Sequence, residues 1–329
     1  MTVASSPMAT RTIAACPFCS GQLRPRYRDI GDRLRTVSEM FSVDECAVCG
    51  AGVLNPSPTG DVSVLYPANY LSGEEEADGA PGTPGLDLER RYRYNQYRFD
   101  FELLTRATGA EIGASPSYVD LGCGSGERVA FVAECGCPRS VGVDKFDFAK
   151  SAAQRRAAFV NSELTDFRPA ERFRVASLFH VLEHLEHPGE VLDHIRDHVL
   201  EPGGHVVVQV PNYGALERRW FGARWFGLDV PRHLWHFNPD AIRRFMDDHG
   251  YDVIGLYERN APLHPVTIVP SLFRGVDVQR IWTDRSHGSA YKRAMQLLWA
   301  GLTVLSVPIC VLENLLGKAS LLTVVARPR

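Results

Sequence analysis

The middle of the chain alternates between short apolar segments and segments with helical periodicity. Tyr118 to Leu121 and residues 140–144 have the pattern of short buried strands, and "VASLFH" repeats it up to His180. The segment "ERVAFVAE" between the first two strands begins a helix, and "NPDAIRRFMDDHG" has a capping residue at each end of another. Strands that alternate with helices predict an α/β fold with a parallel sheet.

The first 55 residues follow a different pattern, with short strand-like segments between two Cys-x-x-Cys pairs. The pairs are Cys16 with Cys19 and Cys46 with Cys49. Because two tight turns can each offer two thiolates to one tetrahedral ion, the sequence predicts a zinc ribbon over residues 1–55 with a structural Zn²⁺. Rubredoxin-like iron has a similar spacing and is the alternative.

Residues 56–87 are rich in proline, glycine and acidic residues, and they predict a linker to a second domain over residues 88–329. The helical segment that begins this domain carries four arginines among tyrosines. They form either an RNA-contacting face or a helix that closes over a neighbouring site, and nearby acidic residues favour the second interpretation. The four are Arg90, Arg91, Arg93 and Arg98.

A glycine-rich turn follows the first predicted strand, where Gly122, Gly124 and Gly126 allow a ligand to approach the backbone. Asp144 ends the second strand, and a carboxylate there can accept hydrogen bonds from ribose hydroxyls. The sequence therefore predicts a nucleotide cofactor. A nicotinamide fingerprint fails in both registers, because glutamate and valine stand where glycine or alanine is needed.

With an acidic residue directly before the glycine turn, the sequence resembles class I S-adenosylmethionine-dependent methyltransferases from about residue 88 onward. The resemblance implies a Rossmann-like, seven-stranded sheet with helices on both faces and S-adenosylmethionine as the cofactor. An acidic residue after the third strand, Glu163 or alternatively Asp166, would meet the adenine. The cofactor contacts implied in this way are Asp120, Gly122, Gly124, Gly126, Asp144, Glu163, Leu164, Asp166 and His180.

His180, Glu183 and His184 together spell the inverted zinc-protease motif HxxEH. That motif needs both histidines on one helix face, whereas His180 ends a strand pattern. Ubiquinone-type O-methyltransferases are similar here, with ExxEH side chains that hold a divalent ion near the acceptor. A divalent ion near these three residues is therefore an open expectation, because His180 replaces the first acid.

The segment "PRHLWHF" places His233 and His236 just before a helix cap, where the resemblance locates the acceptor pocket. A neutral imidazole can take the proton of a hydroxyl group near pH 7. We predict His233 as the general base, with His236 as the second choice. The alternative is that both histidines only form hydrogen bonds within the loop.

A hydrophobic insert at about residues 260–318 precedes "ASLLTVVAR", which resembles the final antiparallel strand of these methyltransferases. Residues 294–312 are uncharged and long enough to span a membrane. A single span would leave the final strand on the wrong side of the bilayer. We therefore predict a helical hairpin broken at Pro308, either buried or in the membrane interface.

The formal net charge of −3 gives no general attraction to nucleic acid. The paired cysteines and the absence of a signal-like apolar run at the start of the sequence predict a cytoplasmic protein, with peripheral contact at the inner face of the membrane. The predicted function is O-methylation of a small-molecule, glycan or lipid-linked acceptor. The alternatives are a sugar C-methyltransferase, an rRNA or tRNA methyltransferase, and a non-catalytic S-adenosylmethionine-binding protein.

Overall fold

The structure is a computed structural model, and it describes part of the chain. The described residues are 8–66, 84–146, 157–261, 267–273 and 289–329, without the side chains of residues 84–90, 289–293 and 296. Most of the predicted linker and the side chain of Arg90 therefore lie outside the described residues, as do parts of the hydrophobic insert.

The described elements alternate as the sequence predicts. The strands are β1 (Thr10–Arg11), β2 (Leu23–Gly31), β3 (Met40–Cys46), β4 (Gly52–Leu54), β5 (Ser57–Pro58), β6 (Tyr118–Leu121), β7 (Ser140–Asp144), β8 (Ala158–Asn161), β9 (Phe173–Phe179), β10 (Leu200–Pro211), β11 (Trp235–His236), β12 (Tyr251–Glu258) and β13 (Leu321–Pro328). The α-helices are α1 (Pro84–Thr108), α2 (Glu127–Glu134), α3 (Pro188–His194), α4 (Leu216–Phe221), α5 (Pro239–Asp248), α6 (Ile268–Leu272) and α7 (Ser289–Leu316).

A seven-stranded sheet in the order β12-β13-β10-β9-β6-β7-β8 forms the centre of the larger domain. Strand β13 is antiparallel to both of its neighbours, whereas the pairs from β10 to β8 are parallel. The central strands are buried and apolar, as a sheet covered on both faces requires. This confirms the predicted Rossmann-like, mostly parallel sheet, in which the carboxyl ends of the parallel strands share one edge.

A second sheet joins the N-terminal ribbon to the larger domain. Its order is β11-β4-β3-β2, so the short strand β11 extends the three strands of the ribbon. In the antiparallel pairing, Trp235 lies opposite Val53 and His236 lies opposite Gly52. The ribbon predicted over residues 1–55 therefore shares its sheet with a segment that lies far along the chain.

The loop before β11 is also attached to the ribbon through a buried arginine. The Arg232 guanidinium lies 2.8 Å from Asp32, and both side chains are fully buried. It also pairs with Asp229 at 2.6 Å and donates to the Leu65 carbonyl at 3.2 Å. Leu65 lies within the predicted linker, so the start of that segment packs against the loop.

The hydrophobic insert contains one long helix, and the predicted hairpin is wrong. Helix α7 continues from Ser289 to Leu316 with Pro308 inside it. Proline removes one amide hydrogen bond and opposes the carbonyl four residues earlier, which belongs to Val304. Because Val304 is 69% exposed, water can bind that carbonyl without a break in the helix.

The opposite side of α7 is attached to the domain by polar residues. Glu313 is fully buried, and its carboxyl group accepts a hydrogen bond from the Glu217 backbone amide at 3.1 Å. The Asn314 side chain exchanges hydrogen bonds with the Asn260 backbone. Burial, followed by the neighbouring Glu217 carboxyl, raises the pKa of Glu313 to about 9.

This raised pKa predicts a pH-dependent stability. Between the unfolded pKa of about 4.3 and the folded value, the native state keeps a proton that the unfolded chain releases, so stability falls as pH rises. We expect Glu313→Gln to remove this contribution and to flatten the decrease in unfolding free energy between pH 6 and pH 9. Urea titrations at several pH values measure this pH dependence of the unfolding free energy. The variant Glu171→Gln, at an exposed glutamate, is the control. Parallel curves for wild type and Glu313→Gln would contradict the assignment.

Candidate functional site

The glycine turn lies at the carboxyl edge of the large sheet. Gly122, Gly124 and Gly126 have φ values of 77°, 53° and 78°, a backbone region that favours glycine. A side chain at Gly122 would collide with Val181, and one at Gly126 would collide with the Phe159 ring. Among the described residues, nothing beyond its chain neighbours lies within 4 Å of the position that a Gly124 side chain would take, so these residues leave space there for a ligand.

Asp144 is placed at this turn by the end of β7. One carboxylate oxygen accepts from the Gly124 amide at 2.9 Å, and the other accepts from the Phe146 amide at 3.0 Å. These bonds orient a carboxylate next to the open space. The arrangement fits a nucleoside cofactor whose ribose hydroxyls donate to Asp144.

Asp120 is held inside the sheet, just before the turn. It is 3% exposed and accepts from the Ser177 hydroxyl at 2.6 Å, which in turn lies 2.7 Å from the Tyr118 hydroxyl. Burial raises the pKa of Asp120 to about 6. These contacts fix the end of β6. A direct contact between Asp120 and the cofactor stays a prediction.

Three further predicted cofactor contacts lie in the turn after β8. The Ser162 amide donates to the Asp144 carbonyl at 3.0 Å and holds this turn beside Asp144. Glu163 and Asp166 are exposed, and Leu164 is partly buried. Their assignment to the adenine side of the cofactor stays a prediction.

Helix α1 covers the glycine turn through ion pairs. Arg93 lies 2.8 Å from Glu127, and the Tyr97 hydroxyl donates to the same carboxylate at 3.1 Å. Deeper in the domain, Arg128 pairs with Asp100 at 2.7 Å. These contacts support the interpretation of this arginine-rich helix as one that closes over the site.

A cluster of Glu183, His184 and His233 lies at the same edge of the sheet. Potential ligand atoms of all three lie within 4.8 Å of one another. Burial and the neighbouring His233 lower the pKa of His184 to about 4, so its ring is neutral at pH 7. Burial opposes the charge of Glu183, but the surrounding imidazoles, His180 first, lower its pKa to about 2 and keep it ionised.

The segment from His180 to His184 does not form the α-helix that the inverted protease motif needs. Strand β9 ends at Phe179, His180 has a φ of 57°, and Leu182–His184 form a single 3₁₀ turn. His180 lies outside the ligand cluster, with a ring 40% exposed and 3.6 Å from Glu183. The sequence grouping of His180, Glu183 and His184 is therefore corrected, because His233 takes the place of His180.

The structure places His236 in a strand, whereas the sequence predicted a loop near the acceptor. It lies in β11, is 3% exposed and stacks on the Tyr213 ring with centroids 5.4 Å apart. Burial, followed by the charge of His233, lowers the pKa of His236 to about 3. The structure thus places His236 between the ribbon and the large domain, and not on a loop open to an acceptor.

The four ribbon cysteines meet as the sequence predicts. The Cys16 and Cys49 sulfurs are 3.6 Å apart, and the Cys19 and Cys46 sulfurs are 3.4 Å apart. Tetrahedral Zn–S bonds of about 2.3 Å place sulfurs about 3.8 Å apart, so this set fits one ion. The Val48 and Cys49 amides point at the Cys46 sulfur at 3.4 and 3.5 Å, which favours a thiolate there.

Comparison with known proteins supports the cofactor assignment. Residues 89–256, about half of the chain, match a family model described as a methyltransferase domain. No curated protein matches the chain.

Several solved structures are similar to this chain. One is a SAM-dependent methyltransferase from Archaeoglobus fulgidus, with 18% identity over 74% of this chain and 94% of that chain and a TM-score of 0.42. Another is a putative sarcosine dimethylglycine methyltransferase from Galdieria sulphuraria, with 13% identity, 70% and 85% coverage and a TM-score of 0.46. The N-methyltransferase NodS from Bradyrhizobium japonicum WM9, solved with S-adenosyl-l-homocysteine, has 19% identity, 50% and 76% coverage and a TM-score of 0.36.

The geometry at Asp144 generates a binding prediction. Hydrogen bonds to a charged group contribute about 1.5–3 kcal/mol, so Asp144→Asn should weaken S-adenosylmethionine binding by about 10- to 100-fold. Isothermal titration calorimetry measures the change. Asp252→Asn, an exposed acid on β12, is the matched control and should bind like wild type. Equal affinities for Asp144→Asn and wild type would show that Asp144 does not hold the ribose.

Proposed function

This chain belongs to the methyltransferase-domain family and is a class I S-adenosylmethionine-dependent methyltransferase, and we propose that it O-methylates an amphiphilic or lipid-linked acceptor at a membrane surface. The observation that carries the proposal is the exposed apolar surface of helix α7. Its large exposed side chains are Leu297, Leu298, Val304, Leu305, Val311, Leu312, Leu315 and Leu316.

Helix α7 is more apolar than an ordinary solvent-exposed helix. Leu297–Leu316 is long and apolar enough to cross a membrane, and 17% of its most apolar window is buried in the protein. Glu313 and Asn314 attach its other side to the domain, and β13 returns to the large sheet directly afterwards. These attachments favour a helix that lies in the plane of the membrane interface over one that spans the bilayer.

The end of α7 lies close to the cofactor edge of the sheet. At the start of β13, Leu321 pairs with Pro211, which is the last residue of β10. The carboxyl end of β10 is at the same edge as the glycine turn and Glu183, because β10, β9 and β6 are parallel. An amphiphile held beside α7 would therefore have its polar end near the methyl donor.

The chemistry of the edge suits a hydroxyl acceptor. When bound, S-adenosylmethionine supplies a methyl group on a positively charged sulfur. The carbon–oxygen bond forms as the carbon–sulfur bond breaks, and the hydroxyl proton must leave. We propose that the cluster of Glu183, His184 and His233 at this edge positions the acceptor hydroxyl and assists the loss of its proton.

The other candidate acceptors have less support. Arg93 of the arginine-rich helix pairs with Glu127, so it holds α1 on the glycine turn instead of being directed at RNA phosphates. A free sugar as the acceptor would leave the exposed apolar surface of helix α7 unexplained. The match to the methyltransferase-domain family favours catalysis over cofactor binding alone.

Label transfer tests the proposed acceptor class. The purified protein is incubated with methyl-labelled S-adenosylmethionine and a host membrane extract, and the products are separated into organic, aqueous and RNA fractions. We expect the label in the organic fraction. Label confined to the aqueous or RNA fraction, or absent from every fraction, would contradict the proposal.

Two variants separate the role of α7 from general damage. The double variant Leu305→Gln, Leu315→Gln removes side chains that are 74% and 79% exposed, so folding should persist. Since partial burial of each leucine in an interface contributes about 1 kcal/mol, organic label should fall by about tenfold or more. Met40→Gln removes an apolar side chain, 58% exposed, from the start of β3 in the ribbon and should behave like wild type.

A further inference from the structure

The Glu183 carboxylate is buried without a hydrogen-bond partner. Its residue has no exposed surface, and neither oxygen has a donor among the described residues. Two imidazole nitrogens lie nearby, His180 Nδ1 at 3.6 Å and His233 Nε2 at 3.9 Å, and both are beyond hydrogen-bond length. A buried carboxylate without a hydrogen bond is unfavourable, and an ion bound between it and the imidazoles would compensate its charge.

Two imidazoles beside this carboxylate have their tautomers set by backbone carbonyls. His233 Nδ1 lies 2.9 Å from the Gly227 carbonyl, and His184 Nδ1 lies 3.1 Å from the Arg232 carbonyl. Because a carbonyl can only accept, each Nδ1 is placed to donate, and the Tyr66 hydroxyl, 3.2 Å from His184 Nδ1, is a second partner there. Nε2 is then the ring nitrogen that each imidazole can offer to a metal ion. Metal-ligating histidines show this arrangement, in which the far nitrogen donates to a backbone carbonyl or a carboxylate.

We propose that Glu183, His184 and His233 form a second metal site, which binds a divalent transition-metal ion. One ligand atom from each residue lies within 4.8 Å of the others, so small side-chain rotations bring all three to one ion. Two imidazoles and one carboxylate suit Zn²⁺-class ions, whereas Mg²⁺ prefers oxygen ligands. The site is separate from the Cys₄ set of the ribbon.

Three protein ligands leave coordination positions open. The segment that carries Glu183 and His184 begins beside the glycine turn, where Val181 packs against Gly122. An ion there is placed to bind an acceptor oxygen and to make loss of its proton easier. This role rests on the proposed function: His233 acts as a metal ligand, and the proton released by the acceptor hydroxyl passes to solvent.

Metal stoichiometry tests the site without acceptor or cofactor. Protein whose ribbon holds zinc is titrated with Co²⁺ and monitored by visible absorption and calorimetry, and bound metals are then counted by mass spectrometry. We expect one Co²⁺ per wild-type chain, with N/O-type absorption and no thiolate charge-transfer band. His233→Ala and Glu183→Gln should lose more than about 100-fold in Co²⁺ affinity while they retain the ribbon zinc.

His187→Ala is the matched control, because this exposed histidine is three residues from His184 and outside the cluster. It should bind Co²⁺ like wild type. Retained ribbon zinc and an unchanged melting temperature show that a variant is folded. No Co²⁺ binding by wild type, or equal affinities for wild type and His233→Ala, would overturn the proposal. An intact Co²⁺ site with no label in the organic fraction would instead reject only the proposed acceptor.

Discussion

A short run of backbone hydrogen bonds links the ribbon to the catalytic edge of the sheet. The Leu54 amide donates to the Leu234 carbonyl at 3.0 Å, and the Leu234 amide donates to the Glu183 carbonyl at 2.8 Å. Leu234 therefore stands between the ribbon and the residue at the centre of the proposed metal site. Because β11 follows directly, the pairing of β11 with β4 fixes where His233 lies.

This link gives the Cys₄ site a function beyond the stability of a small domain. An ion held by the four cysteines would add folding energy to a domain of this small size. The buried pair of Asp32 with Arg232 depends on the same fold. The ribbon thus holds the loop that carries His233 against the carboxyl edge of the large sheet.

Local signals allowed much of this structure to be predicted. The glycine turn, the strand that ends at Asp144 and the two cysteine pairs each depend on neighbours within a few residues, and all three are present. Contacts across the fold left no such signal. The Arg232–Asp32 pair joins residues 200 positions apart, and His233 meets Glu183 from a loop about 50 positions later, beside the β11–β4 pairing. The rule that proline breaks a helix gives the wrong prediction at Pro308. The helix continues there, because exposure to solvent compensates the missing hydrogen bond.

Hydrogen exchange of the ribbon variant Cys46→Ser tests most directly whether the ribbon holds the loop. Removal of one thiolate should release the ribbon ion and open the β4–β11 pairing. We expect amides in residues 229–238 to exchange at least about tenfold faster, because opening costs about 1.4 kcal/mol less, while the Val119 amide in β6 stays protected. Wild-type protection of residues 229–238 in a variant that has lost its ion would show that the ribbon does not hold the loop.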